Sequence, residues 1–265
     1  MILTIDKWTG RLGNNIVELI NMLSIGLYHN HNIRIPYHSF FNKTDIILNK
    51  ISDNVIYNDK DNFFYTDRLK KDKTTADFDE KCFSENSNLI KEYICKLSTI
   101  DWKVLEPLES DSLLIHIRSG DICGTKWIHP LYLPPPISYY INIIKTNKYK
   151  KIYMISEDMS NPIISKLLEI YPNIQFSLRT LLEDIKLVLR APNIIMSIGT
   201  FISSLTFLTY NTKNIYCPSY IQSHLNLVKL HEPHIKLHII DLDNYKKQMG
   251  IWKNSSKQRE QLLSQ

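Results

Sequence analysis

Apolar residues fall in short runs along this chain, each closed by a glycine or polar turn and followed by helical spacing. Residues 1–6 predict a first strand, and residues 16–29 predict a helix with Leu19, Leu23 and Leu27 on one stripe. Ile33-Arg34-Ile35, stopped by Pro36, predicts a second strand. From Phe40 to Lys81 the periodicity weakens. Val55-Ile56-Tyr57 reads as a strand, whereas Asp59–Glu80 is charged and glycine-free and reads as a long surface loop, followed by a helix over Glu85–Leu97.

The second half is more regular. Leu113–Ile117 is an unbroken buried strand ending in a long loop, Gly120–Pro136, then a helix over Ser138–Thr146. Strands at Ile152–Ser156, Ile174–Phe176, Ile194–Ser197 and Ile215–Cys217 alternate with helices at Asn161–Tyr171, Leu181–Ala191 and Phe201–Tyr210. A last strand at Leu237–Ile240 precedes a polar C-terminal segment. Such alternation demands parallel strands joined by crossover helices. The expected class is α/β, with two Rossmann-like lobes over residues 1–105 and 106–265.

With 265 residues and 43% apolar composition, the chain can fill one large core or two small ones. A net charge of +5 spread along the sequence suits an anionic small ligand. It comes with no zinc-finger spacing, basic helix or aromatic RNA-binding signature, so nucleic acid is not an expected partner. Four cysteines without a Cys-x-x-Cys pair argue against a metal or disulfide framework. The N-terminus lacks a basic segment before a long apolar core, and no run approaches the roughly 18 apolar residues of a membrane span. The expectation is a cytoplasmic protein without a membrane span.

Candidate chemistry gathers at strand ends. His116 and Arg118 share one face of an extended segment, and Gly120 and Asp121 follow. Arg118 offers a planar fork of donors to a phosphate or carboxylate, or to a structural salt bridge. Five of the seven glycines stand at predicted strand-to-helix turns, where open α/β sheets bind ligands. Gly10-Arg11-Leu12-Gly13-Asn14 is neither a Walker loop nor a dinucleotide fingerprint, and reads equally as a capped tight turn. Ser197-Ile198-Gly199-Thr200-Phe201 opens a helix and is either a phosphate turn or an ordinary Ser/Thr cap. Trp127, Tyr132, Tyr139 and Tyr140 are candidates for stacking on a sugar or for packing. His231, His234 and His238 lack metalloprotease spacing, and Asp241-Leu242-Asp243 reads as a solvated turn.

In combination and order, Gly10–Asn14, His116–Asp121, Leu182-Glu183-Asp184-Ile185 with Ala191, and Ser197–Phe201 resemble the fucosyltransferase superfamily. That group includes protein O-fucosyltransferases, nodulation enzymes and α1,6-fucosyltransferases. The resemblance implies a GT-B fold whose C-terminal lobe binds the donor, and an inverting, metal-independent transfer of fucose from GDP-fucose to a glycan or glycoprotein. On this likeness Arg118 would bind the pyrophosphate and stabilise the leaving GDP, with His116 near the nucleotide and Asp158 either near it too or simply a helix cap. Asp184 would read the guanine, while Ser197, Gly199, Thr200 and Phe201 would hold phosphates. Gly13 and Asn14 would approach donor or acceptor, and Arg118, Asn14 and Asp121 form the implied catalytic set. No cofactor or metal is implied.

Two departures stand out. Ser119 occupies the place of a second arginine, and Ile122–Lys126 contains no acid. The base therefore stays open among Asp121, Glu18 and Asp6. Two rival readings remain: the same fold with another donor such as a UDP-sugar, and a catalytically silent glycan- or nucleotide-binding protein.

Overall fold

The computed structural model describes residues 2–46, 56–58, 73–102, 105–124, 128, 132–221 and 234–264. The described parts of Met1–Val104, with Ser203–Leu208, form one compact unit. Those of Leu105–Ile202, Thr209–Asn226 and Pro233–Gln265 form a second. Ser203–Leu208, late in the chain, thus groups with the first unit.

In the first unit β1 (Ile2–Thr4) leads into α1 (Leu12–His29), β2 (Asn32–Arg34), β3 (Asp45–Ile46), β4 (Ile56–Asn58) and α2 (Lys73–Leu97). The sheet order is β3-β2-β1-β4, with β1 parallel to β2 and β4 and β3 antiparallel to β2. Leu19 and Leu23, on the predicted stripe, are fully buried with Ile16 and Ile20. Asn30, in the left-handed region at φ 58°, ends the helix.

Two expectations change here. The first helix begins at Leu12, so Gly13 and Asn14 lie in its first turn rather than in a loop. The second begins at Lys73, so residues 73–80 are helical where a loop was expected; residues 59–72 lie outside the described residues. Charge had masked the helix, because a polar helix shows little hydrophobic periodicity.

The second unit is built on β5 (Ser112–His116), α3 (Ile137–Asn147), β6 (Lys151–Ile155), α4 (Pro162–Ile170), β7 (Gln175–Phe176), α5 (Leu181–Arg190) and β8 (Asn193–Ile195). Next come α6 (Thr200–Leu208), whose later residues group with the first unit, and β9 (Asn214–Pro218) and β10 (Lys236–Ile240). Local signals start these helices. Asn161 caps α4 ahead of Pro162, and Thr180 with Glu183 forms a reciprocal capping box on α5.

All six strands are parallel, in the order β10-β9-β8-β5-β6-β7. The chain thus starts in the middle, winds out to β7, and returns to the other side of β5 at β8. That is the doubly wound Rossmann order, and its direction reverses between β5 and β8. An α/β fold with a parallel, Rossmann-like sheet is what the alternation predicted.

The polar C-terminal segment forms α7 (Asp243–Met249) and α8 (Ser256–Ser264). Each is short and buries few residues fully, but Tyr245, Met249, Trp252 and Leu262 enter the same core as Leu113, Ile115 and Ile152. Isolated anchors of this kind leave no periodic stripe in the sequence. No helix among the described residues is long and apolar enough to cross a membrane.

Candidate functional site

The reversal point of the second sheet is where an open α/β sheet leaves a crevice for ligands. Arg118 stands two residues beyond β5, and Gly199 follows β8 as the N-cap of α6. The two touch. A β-carbon on Gly199 would lie 2.3 Å from Arg118 Nη1, and Gly199 holds φ 102° and ψ 172°, a region open essentially to glycine alone.

Three contacts hold the guanidinium. Nε donates to Asp121 Oδ1 at 3.2 Å and Nη2 to Oδ2 at 2.7 Å, a two-pronged carboxylate pair. The Tyr132 ring lies 4.4 Å from Cζ. Those prongs leave Nη1, on the Gly199 side, without an acceptor among the described residues. The first turn of α6 carries no acid and no side-chain cap. A cation therefore abuts the positive end of a helix dipole, an arrangement that favours an anion beside both.

The turn that carries Arg118 is braced from behind. Asp158 accepts from the Ser119 hydroxyl, from Gly120 N at 3.3 Å and from Ser160 N at 2.8 Å. Burial works against its charge, but these hydrogen bonds prevail and hold its carboxyl below the ordinary value. Asn161 is fully buried; its Nδ2 donates to Arg118 O at 2.9 Å, and its backbone amide donates to Ser119 Oγ at 2.9 Å. Gly120 holds φ 44°, a strained conformation for a side-chain-bearing residue, and a β-carbon there would displace the Glu157 carboxylate, whose Oε1 would lie 2.1 Å away. Asp158 thus faces the chain, and Asp121 faces Arg118.

His116 is buried, its ring 5.8 Å from that of Phe201. Burial, and then the Arg118 charge, push its pKa down to about 3, so the imidazole is neutral at pH 7. Ser197 is fully buried beside the Tyr140 phenol, while Thr200 is half-buried at the start of α6. Tyr139 and Tyr140 also belong to the core, with the Tyr139 hydroxyl at 3.0 Å from Met196 O and 2.8 Å from Tyr216 O. Those two are packing residues, not a sugar platform; Trp127 lies outside the described residues.

Asp184 sits in the first turn of α5, after β7 at the same edge of the sheet. Its Oδ1 is buried with no hydrogen-bond partner among the described residues. Burial raises its pKa to about 6, against the pull of Arg179 and with the push of Glu183. A buried carboxylate oxygen without a donor is costly unless a ligand supplies one. Exposed apolar side chains stand close to it in sequence: Leu178 at 60%, Leu181 at 56% and Leu182 at 41%.

In the first unit the turn before α1 is tight. Gly10 has φ 72°, and a β-carbon there would meet Asn14 Nδ2 at 2.2 Å. Glu18, buried in α1, accepts from Thr9 N at 3.2 Å, and Asn15 Nδ2 donates to Thr9 O at 3.0 Å. Burial raises the Glu18 pKa despite the bonds from Thr9 and Asn15. Glu18 is thus a brace of the Gly10 turn. Asp6 is exposed beyond β1.

The remaining candidates are engaged locally. Asp243 N donates to Asp241 Oδ1 at 2.9 Å, and Ser219 Oγ to Asp243 Oδ1 at 2.7 Å. His238 Nε2 is 2.9 Å from Asn214 Oδ1, its ring stacked on Tyr216; His231 lies outside the described residues. Among the described residues no three His, Cys, Asp or Glu side chains gather in a metal-binding group.

The structure thus brings together Arg118, Asp121 and Gly199, with His116 against Phe201 behind them. Sequence reading missed Asn161, and left Tyr132 among the sugar-stacking candidates although its ring lies on Arg118. Asn161 carried a readable cap signal, Asn before Pro, but its bond to a residue 43 positions away did not. No protein-family model matches this chain, and no curated protein matches it.

Proposed function

We propose that the second unit binds a nucleoside-diphosphate sugar and that the protein is an inverting glycosyltransferase, with GDP-fucose as donor and a glycan or glycoprotein as acceptor. The observation that carries this reading is Arg118 held against Gly199 at the reversal between β5 and β8. A diphosphate placed there meets the open Nη1 edge and the α6 N-terminus together. Asp184 supports a base with two adjacent N–H donors, the edge that guanine offers to a carboxylate.

In the proposed reaction an acceptor hydroxyl oxygen attacks the anomeric carbon as the bond to the β-phosphate oxygen breaks. GDP leaves with the electron pair, and the hydroxyl proton passes to base or solvent. Arg118 lowers the barrier by meeting the charge that grows on the leaving phosphate, the largest kind of term an enzyme supplies. The candidate bases thin out: Asp121 is tied to Arg118 and Glu18 is buried in its turn. A leaving group stabilised in this way needs less help from a base.

Thermal shift against GDP, UDP, ADP and GDP-fucose tests the donor class, because a ligand that binds only the folded state raises Tm. GDP species should stabilise selectively. A response to UDP alone would keep the site and change the donor. Binding of GDP-fucose with no GDP release in the presence of glycan acceptors would favour a silent binding protein.

A further inference from the structure

We infer that the segment Trp252–Arg259 is the positioning element of the arginine turn, clamping the carbonyls of Ile122, Cys123 and Gly124 and so setting where Asp121 presents Arg118. The inference rests on the reading of Arg118 as the diphosphate-binding group.

The turn cannot hold itself. Its single 3₁₀ turn, Gly120–Ile122, is closed by Ile122 N to Ser119 O at 3.1 Å and Cys123 N to Gly120 O at 3.2 Å. The carbonyls leaving the turn need partners from elsewhere. The C-terminal segment supplies them. Trp252 Nε1 donates to Ile122 O at 2.7 Å, and Asn254 Nδ2 to Cys123 O at 2.8 Å and Gly124 O at 3.2 Å. Arg259 Nη2 adds a charged donor to Cys123 O at 3.0 Å.

The clamp is itself built rigidly. Arg259 Nε donates to Asn254 Oδ1 at 2.7 Å, which fixes the amide so that its Nδ2 faces the turn. Asn254 holds φ 55°, placing its side chain where a right-handed backbone would not. Ser255 and Gln258 open α8 as a capping box, and Gln258 Nε2 ties back to Met249 O at 3.0 Å and Ile251 O at 2.8 Å. Trp252 is 1% exposed and Leu262 fully buried, so both ends are anchored in the core.

Asp121 therefore stands between two grips. Asp158 and Asn161 hold Arg118, Ser119 and Gly120 from one side, and the clamp holds residues 122–124 from the other. All four clamp bonds end on backbone oxygens, so they place the chain without depending on which side chains it carries. With the clamp loosened, Asp121 loses its fixed position and the Arg118 fork loses its orientation.

The test uses Asn254→Gly, which accepts the positive φ while removing the amide, together with Arg259→Ala. Inorganic pyrophosphate is titrated into the whole protein well below Tm, and backbone amide exchange is followed at Ile122 and Cys123. Both variants should bind pyrophosphate about tenfold more weakly than wild type, as the Arg118 fork loses its fixed orientation. Exchange at the two amides should accelerate while the rest of the sheet stays protected. Wild-type affinity with unchanged exchange in either folded variant would overturn the inference. A wild-type protein that binds no pyrophosphate would count against the arginine site itself. Amide exchange then decides the clamp alone, acceleration supporting it and no change overturning it. Should Asn254→Gly fail to fold, Arg259→Ala carries the same comparison, since alanine suits the helix.

Discussion

Arg118 Nη1 approaches Gly199 so closely that a β-carbon at that position would stand 2.3 Å from it. The contact joins the loops after β5 and β8, the two strands between which the sheet order reverses. It also makes Gly199 a test of the site. Gly199→Ala would displace the guanidinium and strain a backbone at φ 102°, costing about 1–3 kcal/mol for the conformation. We expect a Tm lower by several degrees and loss of pyrophosphate binding by titration calorimetry. Retained affinity with unchanged Tm would show that Arg118 is free to move aside.

Tyr132 gives a milder case. Its ring lies 4.4 Å from the Arg118 carbon, a contact of about 0.5–2 kcal/mol. Tyr132→Phe keeps the ring, and should bind pyrophosphate nearly as wild type does. Tyr132→Ala should bind it roughly two- to thirtyfold more weakly, on the same energy scale. Equal affinity in the two variants would remove the ring from the account.

Asp184 makes the site pH-dependent. Its pKa is raised to about 6, chiefly by burial, so the folded protein takes up a proton there that the unfolded chain at the same pH has released. The stability it contributes is full below about 3.8 and is lost as pH rises through about 6. Asp184→Asn should therefore raise Tm at pH 7.5 and leave it nearly unchanged at pH 4, where wild type is neutral too. An equal effect at both pH values would contradict the assignment.

Ligand binding should show the opposite trend. A carboxylate accepts both guanine donors and the neutral acid does not, so GDP affinity should fall about tenfold between pH 7.5 and pH 5, following the ionised fraction. Phosphate titration is common to all nucleoside diphosphates, so ADP serves as the reference. A constant GDP-to-ADP affinity ratio across this range, or in Asp184→Asn, would point to a donor without guanine.

Much of this site is visible in residue order. A buried strand ending in His-x-Arg-x-Gly-Asp, and a glycine after another strand, are local patterns, and both lie at the reversal point. Their contact is not local. Which strand lies beside β5 is decided by how six similar apolar runs pack, and each run reads alike. The same limit hid Asn161 and the clamp, whose bonds span 43 and about 130 positions and end on backbone atoms, which no residue pattern records. The helix from Lys73 and the two C-terminal helices were missed for a different reason. Their residues are mainly polar, and few of those described reach a core.

The most direct measurement titrates GDP-fucose into wild type and Arg118→Ala by calorimetry. Removing a partly buried charge from its phosphate partner costs about 2–5 kcal/mol. Wild type should bind clearly, and the folded variant at least about thirtyfold more weakly. Equal affinity in the two proteins, or no binding by wild type, would contradict a diphosphate site at Arg118.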